Sequence, residues 1–331
     1  MANWYVSTLG GQTGADGSEE NPWTLAQAIV AINAGTIVNG DTVWVKADGI
    51  YETTGVTISS AGTYGQPWKN IKGYNLIIGD KGKATIKRSS GTTTVINISV
   101  GYWIIENFII DGNLTGGKGL TQISTVMCRN IETKNCTDGI SNAGVAINCY
   151  SHDNTNVGIG VGTVINCIVV GNLLGLYNCP IVINSIAKDS SSYNIYSSGL
   201  VLNSISDGGT GDGIYAVSGC NVINAIIRNS PAGKHGLKLH SILGAVAIYS
   251  NINFDNCNQK CNAPLSLIDI YYELDSQFNN PANLDYTRTG NNLDNIGLSK
   301  VGLLDSSFDY NIDIGIDQKA AISEQGYVFI S

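Results

Sequence analysis

Charge is what this chain has least of. Asp, Glu, Lys and Arg make up 13% of its 331 residues, against roughly 25% in an ordinary soluble domain. Arginine occurs only at Arg88, Arg129, Arg228 and Arg288. The formal net charge is −8 and the sequence pI about 4.8. Nucleic-acid binding rests on Lys and Arg neutralising phosphates, so this balance argues against a nucleic-acid partner. No run of about 18 apolar residues exists, and no membrane-spanning helix is expected. The opening MANWYVSTLGG has neither a basic start nor an apolar stretch, so no secretory signal is expected either.

What the chain does have is asparagine at a nearly fixed interval. Asn107, Asn130, Asn148, Asn166, Asn184, Asn203 and Asn224 follow one another by 23, 18, 18, 18, 19 and 21 residues. From Asn148 on, each closes an apolar pair, as in AINCYSHDN from Ala146, VINCIVVGN from Val164 and VINSIAKDS from Val182. Self-similarity at about 20 residues is the mark of a solenoid, in which every turn buries its apolar face on the next. Val and Ile dominate runs of four to six residues separated by Gly, Asn, Asp and Ser, which is strand-and-turn punctuation without a helical stripe. Each unit restarts with Gly or Asn before an aliphatic, at Gly139, Gly158, Gly175, Asn194, Gly213 and Gly236, where a left-handed turn residue is expected. A buried amide in every turn must find partners, and stacking at about 4.8 Å lets successive amides bond to one another.

With those features the chain resembles the right-handed parallel β-helix proteins of the pectate-lyase-like superfamily. The resemblance extends to WYVSTLGGQTGADGSEENPWTLAQAI at the head, to GDTVWVKADGIYE and to GYWIIENFIIDG. It implies an all-β fold, a single-stranded right-handed parallel β-helix with an N-terminal helical cap and an irregular C-terminal cap. The expected division is a cap at 1–40 with a short helix from Trp23 to Ile32, coils over 41–263, and a C-terminal cap over 264–331. The tail segment LDYTRTGNNLDNIG resembles the C-terminal caps of β-helix proteins from phage and environmental genomes.

The eight cysteines sort by column. Cys149 and Cys167 fall where later units carry Ser185, Ser204 and Ala225, a position for small packing groups. Cys257 and Cys261, in CNQKC, lie close together, and two further ligands for a metal are missing from the spacing.

Two sets of side chains are candidates for function. If Leu176, Ile195 and Ile214 point inward, strand alternation turns Tyr177, Tyr196 and Tyr215 outward, one coil apart, with Lys238 next. Tyrosine rings with hydroxyls suit sugar faces, and the resembled enzymes place their substrate groove along this sheet; an alternative is a stack that stiffens the sheet or meets a subunit. The second set is Asp153, Asp189 and Asp207, with Lys188, His152 and Lys134 beside them. Adjacent coils would put two of these carboxylates about 5 Å apart and a skipped coil about 10 Å, bracketing the separations used by glycosidases; the plainer reading is turn chemistry, which favours Asp. Lys234, His235 and His240 interrupt the period and suggest a bulged loop edging a groove. SDGGTGDG from Ser206 loosely resembles a calcium loop, and calcium is expected only if the protein is a lyase.

The expected role is a virion-type or surface structural β-helix that contacts glycans without cleaving them. It would be made in the cytoplasm, carried on a virion surface, and assembled as a homotrimer touching cell-surface polysaccharide or other virion proteins. The alternatives are a tailspike-like polysaccharide lyase or glycoside hydrolase, and a passive stacking module.

Overall fold

A computed structural model describes residues 1–142, 144–197, 199–217, 219–240 and 248–263, with strand segments at 271–272, 278–280 and 285–288. The rest of the expected C-terminal cap lies outside the described residues. One turn illustrates the regular coils of the solenoid. The run Thr163–Ile165 forms a first strand, Asn166 turns a corner, Ile168–Val170 forms a second strand, Gly171 turns again, and Leu174–Tyr177 forms a third. Ile181–Ile183 then lies parallel on Thr163–Ile165 and the cycle repeats. First, second and third strands each stack into a parallel sheet, and the chain is a right-handed parallel β-helix.

Register is strict, so columns are real. Val164, Val182, Val201 and Val222 stack in the first sheet, Val169, Ala187, Ser206 and Ile227 in the second, and Leu176, Ile195, Ile214 and Leu237 in the third. All twelve are fully buried and form the core between the sheets. Burying each aliphatic contributes about 1.5–3 kcal/mol, and each coil delivers this only against its neighbours.

The helix runs over Leu25–Asn33 and buries Leu25, Ala28 and Ile32 over the first coils. It starts two residues later than expected from apolar spacing because Thr24 is its N-cap. The Thr24 hydroxyl accepts from the Gln27 amide at 3.2 Å, and the Gln27 side chain accepts from the Thr24 amide at 2.9 Å. Upstream, Asn3–Val6 already pairs in parallel with Thr42–Lys46, so the first rung lies within the segment expected as a cap.

Corners explain the asparagines. All seven adopt left-handed φ, between 49° and 64°, a region that asparagine enters more readily than most residues. A second left-handed column follows the second strand: Asn135, Asp153, Gly171, Asp189, Gly208, Asn229 and Asn256. The restart glycines behave otherwise. Gly139, Gly158, Gly175, Gly213 and Gly236 are not left-handed; the expectation of a turn there is corrected. Space selects them instead, since a Cβ on Gly158 would meet Asn172 Nδ2 at 2.8 Å, and one on Gly213 would meet Ile227 Cγ2 at 2.8 Å.

Amide stacking is present at both ends of the column. Asn130 Nδ2 donates to Asn107 Oδ1 at 2.8 Å, Asn224 Nδ2 to Asn203 Oδ1 at 3.1 Å, and Asn107 Nδ2 to the Gly73 carbonyl at 3.2 Å. In the middle, the Oδ1 atoms of Asn148, Asn166 and Asn184 have no hydrogen-bond partner among the described residues. The left-handed corner, rather than the amide bond, is therefore the requirement common to the turns from Asn107 to Asn224. All eight cysteines are free thiols, and the Cys128 and Cys149 sulfurs approach to 3.9 Å inside the core.

Two substitutions separate corner from ladder. Asn166→Ala should cost about 1–2 kcal/mol for the left-handed backbone alone. Asn130→Ala should cost about 1–3 kcal/mol more, because buried Asn107 Oδ1 loses its donor. Urea denaturation of both variants checks this, and equal losses would refute the distinction.

Candidate functional site

The third-strand sheet carries an aromatic ridge. Tyr177 pairs in register with Tyr196, Tyr196 with Tyr215, and Tyr215 with Lys238. Their inward neighbours Leu176, Ile195, Ile214 and Leu237 are fully buried, so alternation sends the rings outward, where they are half-buried. Ring centroids are 5.0 Å apart for Tyr177 and Tyr196 and 5.1 Å for Tyr196 and Tyr215. A further ring joins from the strand Tyr193–Ser197: Tyr193 stacks on Tyr215 at 5.0 Å and 27°. Sequence reasoning missed Tyr193 because it sits outside the restart motif, although its spacing of three from Tyr196 was visible. In the coils before Tyr177 the same sheet edge is lined by Thr121, Ser141 and Gly160, so the ridge ends on a low floor.

Ionic groups close the other end of the ridge. Lys238 Nζ lies 5.3 Å from the Tyr215 ring centre and 5.7 Å from that of Tyr193, a cation–π arrangement. The same ammonium donates to Asp212 at 2.9 Å. Asp212 is buried, which by itself raises its pKa, but the His235 backbone amide at 2.9 Å and the Lys238 ammonium outweigh burial and bring it below the usual value. The Lys238 pKa is raised, chiefly by its hydrogen bond to Asp212. Beside them the Tyr215 hydroxyl is hydrogen-bonded to His240 Nδ1. His235 belongs to the strand His235–Leu239 and pairs with Gln259, which corrects its expected place in a bulged loop; Lys234 and His240 are exposed at that strand's two ends.

The acidic candidates do not form one column. Asp153 and Asp189 occupy the second corner, with φ of 53° and 54°. Asp207 stands one position earlier, at the end of a second strand, where it pairs in register with Lys188. Counting four or five residues from each asparagine merged two adjacent positions, and the single column of Asp153, Asp189 and Asp207 is corrected. The true neighbours make a ladder of alternating sign on successive coils: Lys188, Asp207, Arg228 and Asp255. Arg228 Nε is 3.7 Å from Asp207 and 3.2 Å from Asp255, and Asn229 Nδ2 donates to Asp207 at 2.7 Å. Asp207 is buried, whereas Asp189 and Asp153 are exposed. Asp207 and Asp212, the ends of the supposed calcium loop, thus serve different sheets. Among the described residues no group of three or more His, Cys, Asp or Glu side chains is placed to hold a metal ion.

A second ionic cluster lies on the second-strand sheet, away from the tyrosines. Glu132 pairs with Tyr150, and Lys134 with His152. His152 Nδ1 is 2.7 Å from Asp153 and Nε2 is 3.4 Å from Glu132; Lys134 Nζ is 3.5 Å from the same Glu132 oxygen. Burial pulls the His152 pKa down, but the hydrogen bonds and charges of Glu132 and Asp153 prevail and raise it. The reciprocal effect holds for Glu132, where burial is overcome by His152 and nearby lysines and the pKa falls. Glu132 went unnoticed in the sequence because only the 18-residue coil spacing relates it to Tyr150.

No protein-family model matches the chain, and no curated protein matches it in sequence. Among solved structures it is similar to pectate lyase Pel9A, with 13% identity and a TM-score of 0.54 over 86% of this chain and 84% of that one. It is also similar to the GH136 lacto-N-biosidase from Eubacterium ramulus, with 13% identity and a TM-score of 0.49 over 82% and 66% of the two chains. ORF18 of Geobacillus virus E2 follows at 15% identity and 0.42, over 69% and 49%. The first similarity establishes the β-helix fold; chemistry has to be argued from the residues.

The His152 cluster has a definite pH signature. A folded pKa above the unfolded value of about 6.5 means that the stabilisation is full below that pH and is lost as pH rises through the folded pKa. His152→Gln should remove this contribution and flatten the fall of the thermal midpoint as pH rises above about 6.5. A slope unchanged from that of the parent protein would refute the assignment.

Proposed function

We propose that this protein is a glycan-contacting β-helix whose tyrosine ridge on the third-strand sheet is the binding platform. The observation that carries the reading is the in-register column Tyr177, Tyr196, Tyr215 and Lys238, reinforced by Tyr193. Sugars present apolar C–H faces flanked by hydroxyls, which matches ring faces flanked by phenol oxygens and an ammonium. The platform is rigid because each ring stands on a strand whose inner neighbour is locked in the core, so little conformational freedom is lost on binding.

Binding without cleavage is the favoured form. Glycosidic hydrolysis uses two opposed carboxylates, and Asp212, the acid beside the platform, is engaged by Lys238 and the His235 amide. Asp153, Asp189 and Asp207 belong to the second strand and its corner, on another side of the coil. One observation favours a cleaving alternative: the Tyr215 phenol bonded to His240 is a donor–base pair able to move a proton. A virion setting draws on the resemblance of the tail to β-helix caps from phage and environmental genomes.

The test is incubation with a panel of bacterial surface and plant polysaccharides, following binding, reducing ends and unsaturated-sugar absorbance, with calcium and with chelator. Binding without new chain ends is the expected result; chain ends abolished by Tyr215→Phe would establish the cleaving form. For whichever glycan binds, Tyr196→Ala should weaken affinity about tenfold, equivalent to about 1.4 kcal/mol. Unchanged affinity would remove the ridge as the platform.

A further inference from the structure

The tyrosines are one part of a longer column on the third-strand sheet. Upstream of Tyr177 the same register position holds Thr57, Asn97, Thr121, Ser141 and Gly160, and downstream of Tyr215 it holds Lys238. From Thr57 to Lys238 the column takes eight coil-to-coil steps, about 40 Å at about 4.8 Å each. The Thr121 and Ser141 hydroxyls lie 3.3 Å apart, so the upstream part offers hydrogen-bonding groups without charge. Only the last position, Lys238, is ionic.

A parallel column lies two residues before each buried aliphatic of these strands, and it contains Lys118, Asp138, Tyr193, Asp212 and His235. Among the described residues of the two columns, the Lys and Asp side chains come as two opposite pairs. Lys118 Nζ is 3.2 Å from Asp138, which also accepts from Asn156 Nδ2 at 2.8 Å. At the far end, the Lys238 ammonium donates to Asp212 at 2.9 Å, and His235 Nδ1 stands 3.4 Å from the same acid. The Lys238 side chain is 33% exposed beside the rings, while that of Asp212 is 4% exposed. Lys234, exposed where that strand begins, stands outside both columns.

We propose that the ridge takes a neutral glycan and that Asp212 sets this specificity; the inference rests on the ridge being the binding platform. A polyuronate carries a carboxylate on every sugar and needs cations free to meet them. Along this strip it would find hydroxyls, an amide, ring faces and one ammonium already donating to an acid. Drawing Lys238 toward a glycan carboxylate would leave Asp212 buried without its cation, and a buried unpaired charge is strongly unfavourable. The net charge of −8 adds repulsion at longer range. A neutral chain meets none of these obstacles. Its C–H faces cover the rings, and its hydroxyls bond the phenols, Thr121 and Ser141.

Affinity electrophoresis of the purified full chain tests this, through gels holding a neutral polymer (galactomannan, xyloglucan or mannan) or an acidic one (polygalacturonate or alginate), with and without calcium. The expected result is retardation by a neutral polymer alone, insensitive to added salt and weakened about tenfold in affinity by Tyr196→Ala. Asp212→Asn should bind an acidic polymer about tenfold more tightly than the parent and lose that gain in high salt, because Lys238 is released. Thr121→Lys, on the surface of the strip, should give the same gain by adding an unpaired cation, and it serves should Asp212→Asn not fold by circular dichroism. Retardation of the parent by an acidic polymer, diminished by Tyr196→Ala, would overturn the neutral preference and leave the ridge standing as the platform. Folded variants without any gain on acidic polymer would overturn the role of Asp212. No retardation in any gel, or retardation indifferent to Tyr196→Ala, would remove the ridge itself as the platform, and the neutral preference with it.

Discussion

From Asn107 to Asn224 the coils depend on making the same left-handed corner once per turn. A parallel solenoid needs strands that break direction sharply without losing register, and one residue at φ near 50° does this between the first and second strands. For most residues that backbone costs about 1–2 kcal/mol; asparagine reduces the cost because its short amide can bond locally. Once the corner recurs every 18 or so residues, strand lengths are set, columns form, and each coil places its apolar groups on those of the coil beneath. The hydrophobic energy admits only registers that keep the apolar side chains inward. The corners supply the register.

Stacking then multiplies whatever a column contains. Apolar columns become the core, and a small-residue column takes Cys149, Cys167, Ser185, Ser204 and Ala225 in turn. Charges obey the same repeat, and like charges about 4.8 Å apart would repel. The chain answers by alternating sign, as in Lys188, Asp207, Arg228 and Asp255. This is why low overall charge and a few well-paired ions coexist. An aromatic column has no such conflict, because neighbouring rings attract in offset or edge-on geometry, and four tyrosines can gather where four lysines could not.

Much of the fold was legible in the sequence because a solenoid writes its period openly. The 19-residue step from Tyr177 to Tyr196 to Tyr215 was enough to place those rings in one outward column. What was lost was lost by single-residue offsets. Asp207 seemed to follow its asparagine as Asp189 does, yet one position separates a strand end from a left-handed corner, and a shift of one flips a strand's side chains. The restart glycines looked like turns, but their reason is crowding against the second strand, as between Gly213 and Ile227, which no local pattern displays. Arg228 and Asp255 are 27 residues apart, and the irregular coil between them hid their pairing until the register was known.

The outward columns give the sheets different surface chemistry. The third sheet shows aromatic rings with an ammonium at one end, the second shows paired ions, and the first shows aliphatics running from Ile104 and Met127 to Leu200. A solenoid can segregate chemistry in this way because its outward residues scarcely affect the core, whose inward neighbours are fixed separately by alternation. The rings combine apolar area with hydrogen-bonding groups. Covering the uncharged strip would carry no ionic desolvation cost, whereas covering the paired ions of the second sheet would. The rings and the aliphatic strip lie on different sheets of one coil, so a change in one column leaves the register of the other untouched.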